Sequence, residues 1–344
     1  MMDYIHTKPL SPGVEVTQQI LQEISALSDQ DKPDQAAMAM FSRAMAMSAS
    51  GDTAGELAEY ARLIARFGDS DHPELRRWVA RAMYNRAVVV DESGNEAEAL
   101  AEYARLIARF GDSDHPAVQE QVARAMYNRA VVVKASGNET EALAEYARLI
   151  ARFGDSEQPA VQEPVAGAML NRALALDASG DAAGELAEYA RLIARFGDSD
   201  HPAVQVLVAR AMLNRAVTLN ASGDKAEALA EYARLTTRFG DSEQPAAQEL
   251  VARAMFFRAQ ALDASGNEAE ALAEYARLIA RFGDSDHPEL RGWVARAMFN
   301  RAAAVNASGD KAEALAEYAR LVARFEGCNI PEVLEIVEEA KKRL

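Results

Sequence analysis

Five histidines, one cysteine, 53 carboxylates and 37 lysines and arginines are the groups with which this 344-residue chain could do chemistry. Histidine holds metals and moves protons near neutral pH. His72, His115, His201 and His287 each precede a proline, at separations that are multiples of 43 residues. Groups spaced so evenly do not converge on one metal, and Gln158 and Gln244 replace them in two further copies. They read as loop and helix-cap residues. A single cysteine, Cys328, excludes an internal disulfide and a cysteine-based zinc cluster. The sequence has no HExxH, GxSxG or GxxxxGK motif and no strand-borne GxGxxG. Its carboxylates recur copy after copy, whereas an active site needs one unique constellation. The expectation is a protein that is not an enzyme, with no catalytic residue, no metal site and no cofactor.

The elements that position these groups come from one period. GDSDHP or GDSEQP begins at Gly68, Gly111, Gly154, Gly197, Gly240 and Gly283, always 43 residues apart. Residues 68–110 and 111–153 agree at 35 of 43 positions, the mark of stacked repeats. Seven of the ten tyrosines share one repeat position, Tyr60 to Tyr318, and seven of the eleven phenylalanines share another, Phe67 to Phe325. Both read as core plugs. Each copy reads as two helices. In residues 68–110, Pro73 suits the first helical position because its missing N–H would be unpaired there. Leu75, Val79, Ala82, Met83 and Val90 recur at helical spacing over 73–91. Gly94 permits a left-handed turn. The second helix covers 96–110, with Ala99, Leu100, Tyr103, Leu106, Ile107 and Phe110 on its buried face. Nothing reads as a strand. The domain plan is 1–32 as an N-terminal tail and cap helix, 33–325 as seven helix pairs (one degenerate and six full), and 326–344 as a C-terminal cap helix.

The segment AMYNRAVVVDESGNEAEALAEYARLIARF, residues 82–110, resembles a tetratricopeptide repeat. Met83, Ala87, Gly94, Ala99, Tyr103 and Leu106 fall on the family's large, small, glycine, alanine, aromatic and apolar positions. The usual unit has about 34 residues, so this one is a long variant. The resemblance implies an all-α fold, a right-handed α-solenoid (superhelix) of stacked antiparallel helix pairs whose first helices line a concave face. Two copies depart: Glu56 and Glu185 replace the small residue of the second helix, and Pro164 with Gly167 sits inside one first helix. A proline in a helix interior costs about 3 kcal/mol or more, so a kinked, frayed or late-starting helix is expected there.

By the same alignment the concave ridge carries three rows. Arg81, Arg124, Arg210, Arg253 and Arg296 form the first, interrupted by Gly167. Tyr84, Tyr127, Leu170, Leu213, Phe256 and Phe299 form the second. Asp91, Lys134, Asp177, Asn220, Asp263 and Asn306 form the third. Arginines beside apolar pockets could hold a protein segment. They could equally pair with carboxylates of neighbouring copies while the aromatics pack between helices. Asn85 and its equivalents read as inter-helix hydrogen bonders, because the family's ligand-clasping asparagine lies three places later, where this chain has Val88. Trp78 and Trp293 share one position and mark contacts near each end.

Of the net charge of −16, −10 spreads over the six full copies as 0 to −4 each. It reads as solvated helix faces with pairs such as Glu102–Arg105, worth a few tenths of a kcal/mol. An acidic chain does not bind nucleic acid or an anionic membrane by counterion release. MMDYIHTKPLSPG lacks a signal peptide's apolar stretch and no run approaches a membrane span, so the expected compartment is the cytoplasm. The function expected is a protein-binding scaffold for a protein or peptide partner. A self-associating structural protein and a regulatory subunit of a separately encoded enzyme fit the same pattern.

Overall fold

The computed structural model describes residues 33–344. The tail and cap helix expected over 1–32 lie outside the described residues. Those residues form fifteen α-helices and no strand. They divide into two compact units, with the boundary between Ala175 and Leu176. The first holds α1 (Pro33–Ala49), α2 (Thr53–Phe67), α3 (Pro73–Glu92), α4 (Glu96–Phe110), α5 (Pro116–Ala135), α6 (Glu139–Phe153) and most of α7 (Pro159–Ala178). The second holds α8 (Ala182–Phe196), α9 (Pro202–Ala221), α10 (Lys225–Phe239), α11 (Pro245–Asp263), α12 (Glu268–Phe282), α13 (Pro288–Ala307), α14 (Lys311–Arg324) and α15 (Pro331–Lys341).

Each unit repeats one packing rule. In the first, α1 packs on α2, α3 on α4 and α5 on α6, while α2 also packs on α3 and α4 on α5. First helices touch one another, α1 on α3 and α3 on α5. In the second unit α9, α11 and α13 repeat this with α10, α12 and α14, and α15 takes the next first-helix place against α13 and α14. The boundaries follow local chemistry. Pro73 and its equivalents sit at the helix start behind His72, His115, His201 and His287, all N-cap residues with extended backbone. Gly94 turns the chain at φ 78°, where a Cβ would be strained.

The core is the tyrosine row with its companions. Tyr60, Tyr103, Tyr146, Tyr189, Tyr232 and Tyr275 are at most 2% exposed. A buried side chain of this size contributes about 1.5–3 kcal/mol, repeated in every pair. The hydroxyls of Tyr60, Tyr103 and Tyr189 are met from the following pair. Asn128 Nδ2 donates to Tyr84 at 3.0 Å and to Tyr103 at 3.4 Å, and Asn214 Nδ2 donates to Tyr189 at 3.3 Å. The asparagines are the inter-helix hydrogen bonders expected.

A second contact was not expected. Glu59, Glu102, Glu145, Glu188, Glu231, Glu274 and Glu317 are 1–4% exposed, not solvated. Glu102 joins Arg105 of its own helix at 2.5 Å and Arg86 of α3 at 2.8 Å. Glu231 joins Arg234 at 2.5 Å and Arg215 of α9 at 3.0 Å. The carboxylate faces its pair's first helix and is buried by it, which is why surface-pair energetics do not apply. Glu185, a departure from the pattern, is also buried, and the Thr218 hydroxyl donates to it at 3.0 Å.

Of the irregularities expected at Pro164, the late start and the fraying are corrected. Helix α7 starts at Pro159, level with its counterparts, and runs unbroken through Pro164. Pro164 is the helix's sixth residue, so its missing N–H forfeits a single early bond. Gly167 has a packing reason. A Cβ there would lie 2.8 Å from the Tyr127 ring, which is buried and held at its hydroxyl by Asn171 at 3.0 Å.

Two outcomes are expected in urea unfolding. Glu231→Gln costs about 2 kcal/mol, because it weakens a buried two-arginine contact, while Glu243→Gln in an exposed loop stays within about 0.5 kcal/mol. Equal effects would remove the carboxylate from its structural role. Gly167→Arg restores the residue typical of the other copies and yet destabilises by about 1–3 kcal/mol, since the added side chain meets Tyr127. A neutral or stabilising result would count against that contact.

Candidate protein-binding face

In the first unit, α3 places the Arg81 guanidinium 4.5 Å from the centre of the Phe41 ring and 5.8 Å from that of Trp78. Burial, with Arg77 and Arg124 nearby, lowers the Arg81 pKa against the pull of Glu120. Arg124 on α5 pairs with Glu120 at 3.1 Å. Tyr84, Tyr127 and Leu170 are buried, the two tyrosines against the tilted rings of Tyr103 and Tyr146. Lys134 is half-buried.

In the second unit Asp177, Asp263 and Asn306 are exposed, while Arg210 and Asn220 are half-buried. Leu213 and Phe256 are buried. Arg253 stands 3.9 Å from Glu249 and 5.9 Å from the centre of the Trp293 ring. Arg296 is paired with Glu332 of α15, and its guanidinium lies 4.5 Å from the centre of the same ring. Phe299 is half-buried and packs on Tyr318 at 5.4 Å.

The structure therefore separates the three rows. The apolar row from Tyr84 to Phe256 is mainly core, covered where first helices pack on one another. The third row is scattered from buried Asp91 to exposed Asp263. What converges in the second unit is Arg253, Phe256, Arg296 and Phe299, gathered around Trp293. Phe257 completes the group, with ring centres 5.8 Å from Phe256 and 6.0 Å from Trp293. Beside them is a cleft of about 390 Å³, lined also by Gln260 and by Ile336 of α15. The contribution of α15 was not foreseen, because it comes from outside the repeat. Phe257, in the place of the usual asparagine, was the signal available for the rest.

Residues 210–242 match a family model described as tetratricopeptide repeat. That span runs from the middle of α9 through α10, and the 43-residue identity carries it to the other copies. The chain is built of tetratricopeptide-like repeats. No curated protein matches it in sequence. Among solved structures it is similar to a tetratricopeptide repeat protein from Parabacteroides merdae, at 15% identity and TM-score 0.47, over 89% of this chain and 99% of that one. It is also similar to the apo form of the quorum sensor NprR from B. thuringiensis, at 11% identity and TM-score 0.49, over 95% of this chain and 89% of that one. No helix among the described residues is long and apolar enough to cross a membrane.

One member of the third row has an electrostatic consequence. Asp91 ends an early repeat's first helix, is 8% exposed, and has one buried carboxylate oxygen without a hydrogen-bond donor. Burial first, then the charges of Glu92 and Glu96, push its pKa up to about 6. The unfolded value is about 4, so the folded state holds the proton more tightly. Stability from this group is therefore present at low pH and is lost as pH rises from about 4 to about 6. Asp91→Asn is expected to stabilise by about 1–3 kcal/mol at pH 7 and by much less at pH 4. Asparagine already stands at the equivalent positions Asn220 and Asn306. Urea unfolding of both proteins at the two pH values checks this, and a pH-independent difference would contradict it.

Proposed function

We propose that the chain is a non-catalytic scaffold that binds a protein or peptide segment on its first-helix face. The observation that carries this is the cluster around Trp293. In a chain whose copies are nearly identical, Phe257, Gln260 and Gly292 depart from the residues usual at their repeat positions, and they lie in one neighbourhood with Trp293, whose position varies from copy to copy. Two arginines flank the indole there, and aromatic residues and arginine are the side chains that dominate protein recognition sites. Supporting the non-catalytic reading, titratable groups recur from copy to copy without one unique constellation. The scaffold acts by differential binding, with guanidinium groups reaching carboxylates of the segment and aromatic walls taking its apolar side chains.

Co-purification of the full chain followed by mass spectrometry identifies the partner. It also separates a free adaptor from a subunit that regulates a separately encoded enzyme, and sedimentation detects self-association. With the partner in hand, the Arg210→Glu, Arg253→Glu double variant is expected to lose at least about tenfold in affinity with an unchanged circular dichroism spectrum. Unchanged affinity in the folded variant would remove these arginines from the binding face.

A further inference from the structure

The first unit holds a smaller and more polar cleft that the scaffold reading leaves unassigned. It has a volume of about 200 Å³ and is lined by Arg77, Trp78, Arg81, Ala117, Glu120 and Gln121 from α3 and α5. Trp78 forms its aromatic surface, 5.4 Å from Phe41 between ring centres, and the Arg77 guanidinium lies 4.8 Å from the centre of its ring.

Charges in this cleft are unevenly matched. Arg77 pairs with Glu74 at 2.8 Å, and Glu120 pairs with Arg124 at 3.1 Å. Among the described residues no carboxylate forms an ion pair with Arg81, whose contacts are the rings of Phe41 and Trp78. Gln121 is only 4% exposed, and its Oε1 has no hydrogen-bond donor. A buried acceptor left unmet costs about 1–3 kcal/mol. The cleft thus presents three demands: an N–H for Gln121, an anion for Arg81 and apolar surface for Trp78.

One chemistry meets all three. A peptide segment carries a backbone N–H beside each side chain, and an Asp or Glu adds a carboxylate within reach of the same point. We propose that this cleft binds an Asp or Glu side chain of a partner segment at Arg81, with the adjoining backbone N–H donated to Gln121 Oε1 and a neighbouring side chain packed on Trp78. This rests on the scaffold reading and adds the partner's chemistry. The sequence supports a special role for this copy. Arg77 has Glu120, Glu163, Val206, Glu249 and Gly292 as its counterparts, and Trp78 has Gln121, Pro164, Leu207, Leu250 and Trp293. No other full copy sets arginine beside tryptophan at these two positions. The Arg81 pKa is lowered chiefly by burial and less by the charges of Arg77 and Arg124, and an incoming carboxylate would offset both.

The chain has two tryptophans, so Trp293→Phe leaves Trp78 as the sole indole reporter. Its emission is followed in the full-length protein during titration with a blocked dipeptide, N-acetyl-aspartyl-phenylalanine amide. A saturable change is expected. Replacing the aspartyl residue by asparaginyl, or Arg81 by Gln, should weaken it at least about tenfold. Gln121→Leu should weaken it several-fold. No saturable change up to about 10 mM, equal binding of the asparaginyl peptide, or equal competition by acetate would overturn the proposal. The partner-protein measurement is separate. A partner that binds the Arg81→Gln protein undiminished sinks the cleft and leaves the scaffold standing. Saturable dipeptide binding with no protein partner does the reverse.

Discussion

One buried carboxylate fixes the geometry of each helix pair. Glu102 receives Arg105 from its own helix and Arg86 from α3, across the turn at Gly94. A glutamate taken out of water is tolerated only when its charge is met, so the second helix must settle at the rotation and depth that bring Arg86 to it. The next residue, Tyr103, then projects toward the following pair, where Asn128 donates to its hydroxyl. Two consecutive side chains thus divide the work: glutamate sets the pair and tyrosine sets the stacking of pairs. The same two residues stand at every 43-residue step from Glu59–Tyr60 to Glu317–Tyr318. Within each unit, that invariance explains how near-identical copies pack without a specialised joint.

The regularity made the fold legible and hid part of its energetics. Repeat period, proline starts and glycine turns place the first helix of residues 68–110 at 73–91 and the second at 96–110, and the structure has Pro73–Glu92 and Glu96–Phe110. Helical periodicity marks which residues share a face but not what covers that face. Tyr84 and Arg81 lie one turn apart on one ridge, yet Tyr84 is wholly buried and Arg81 is not. Glu102 looked like a surface partner of Arg105 because Arg86 lies 16 residues away, beyond the reach of any local pattern. The available signal was invariance: Arg43 to Arg301 and Glu59 to Glu317 hold in all seven pairs. Pro164 and Gly167 suggested irregularity from their residue types alone. In fact Gly167 is the complement of a neighbouring aromatic ring.

Departures from the repeat stand out against near-identical copies, and Phe257 gives up a contact that other copies keep. Phe257 stands where asparagine meets a tyrosine hydroxyl in other copies, as Asn214 does for Tyr189. Losing that bond forgoes about 1 kcal/mol, and packing alone does not require it, since asparagine serves at the equivalent place in the other full copies. What the substitution adds is a ring beside Trp293 and the cleft. Arg77 in the other unit is unlike its counterparts, and Trp78 beside it stands at a position that varies from copy to copy. Both tryptophans sit in the extra length that separates this unit from the shorter repeat of the family, so the added turns of the first helix are where the copies are free to differ.

The acidity of the chain bears on how such clefts work. With a net charge of −16, the long-range field repels an anionic partner. Attraction by the arginines must operate at short range, within a Debye length of about 8 Å at physiological ionic strength. At that range selectivity comes from desolvated, shape-fixed contacts. A guanidinium held against an indole is prearranged and loses little freedom on binding. In the proposed scaffold the copies supply a common frame, the overall charge disfavours polyanions at long range, and recognition of a local carboxylate falls to the few residues that break the pattern.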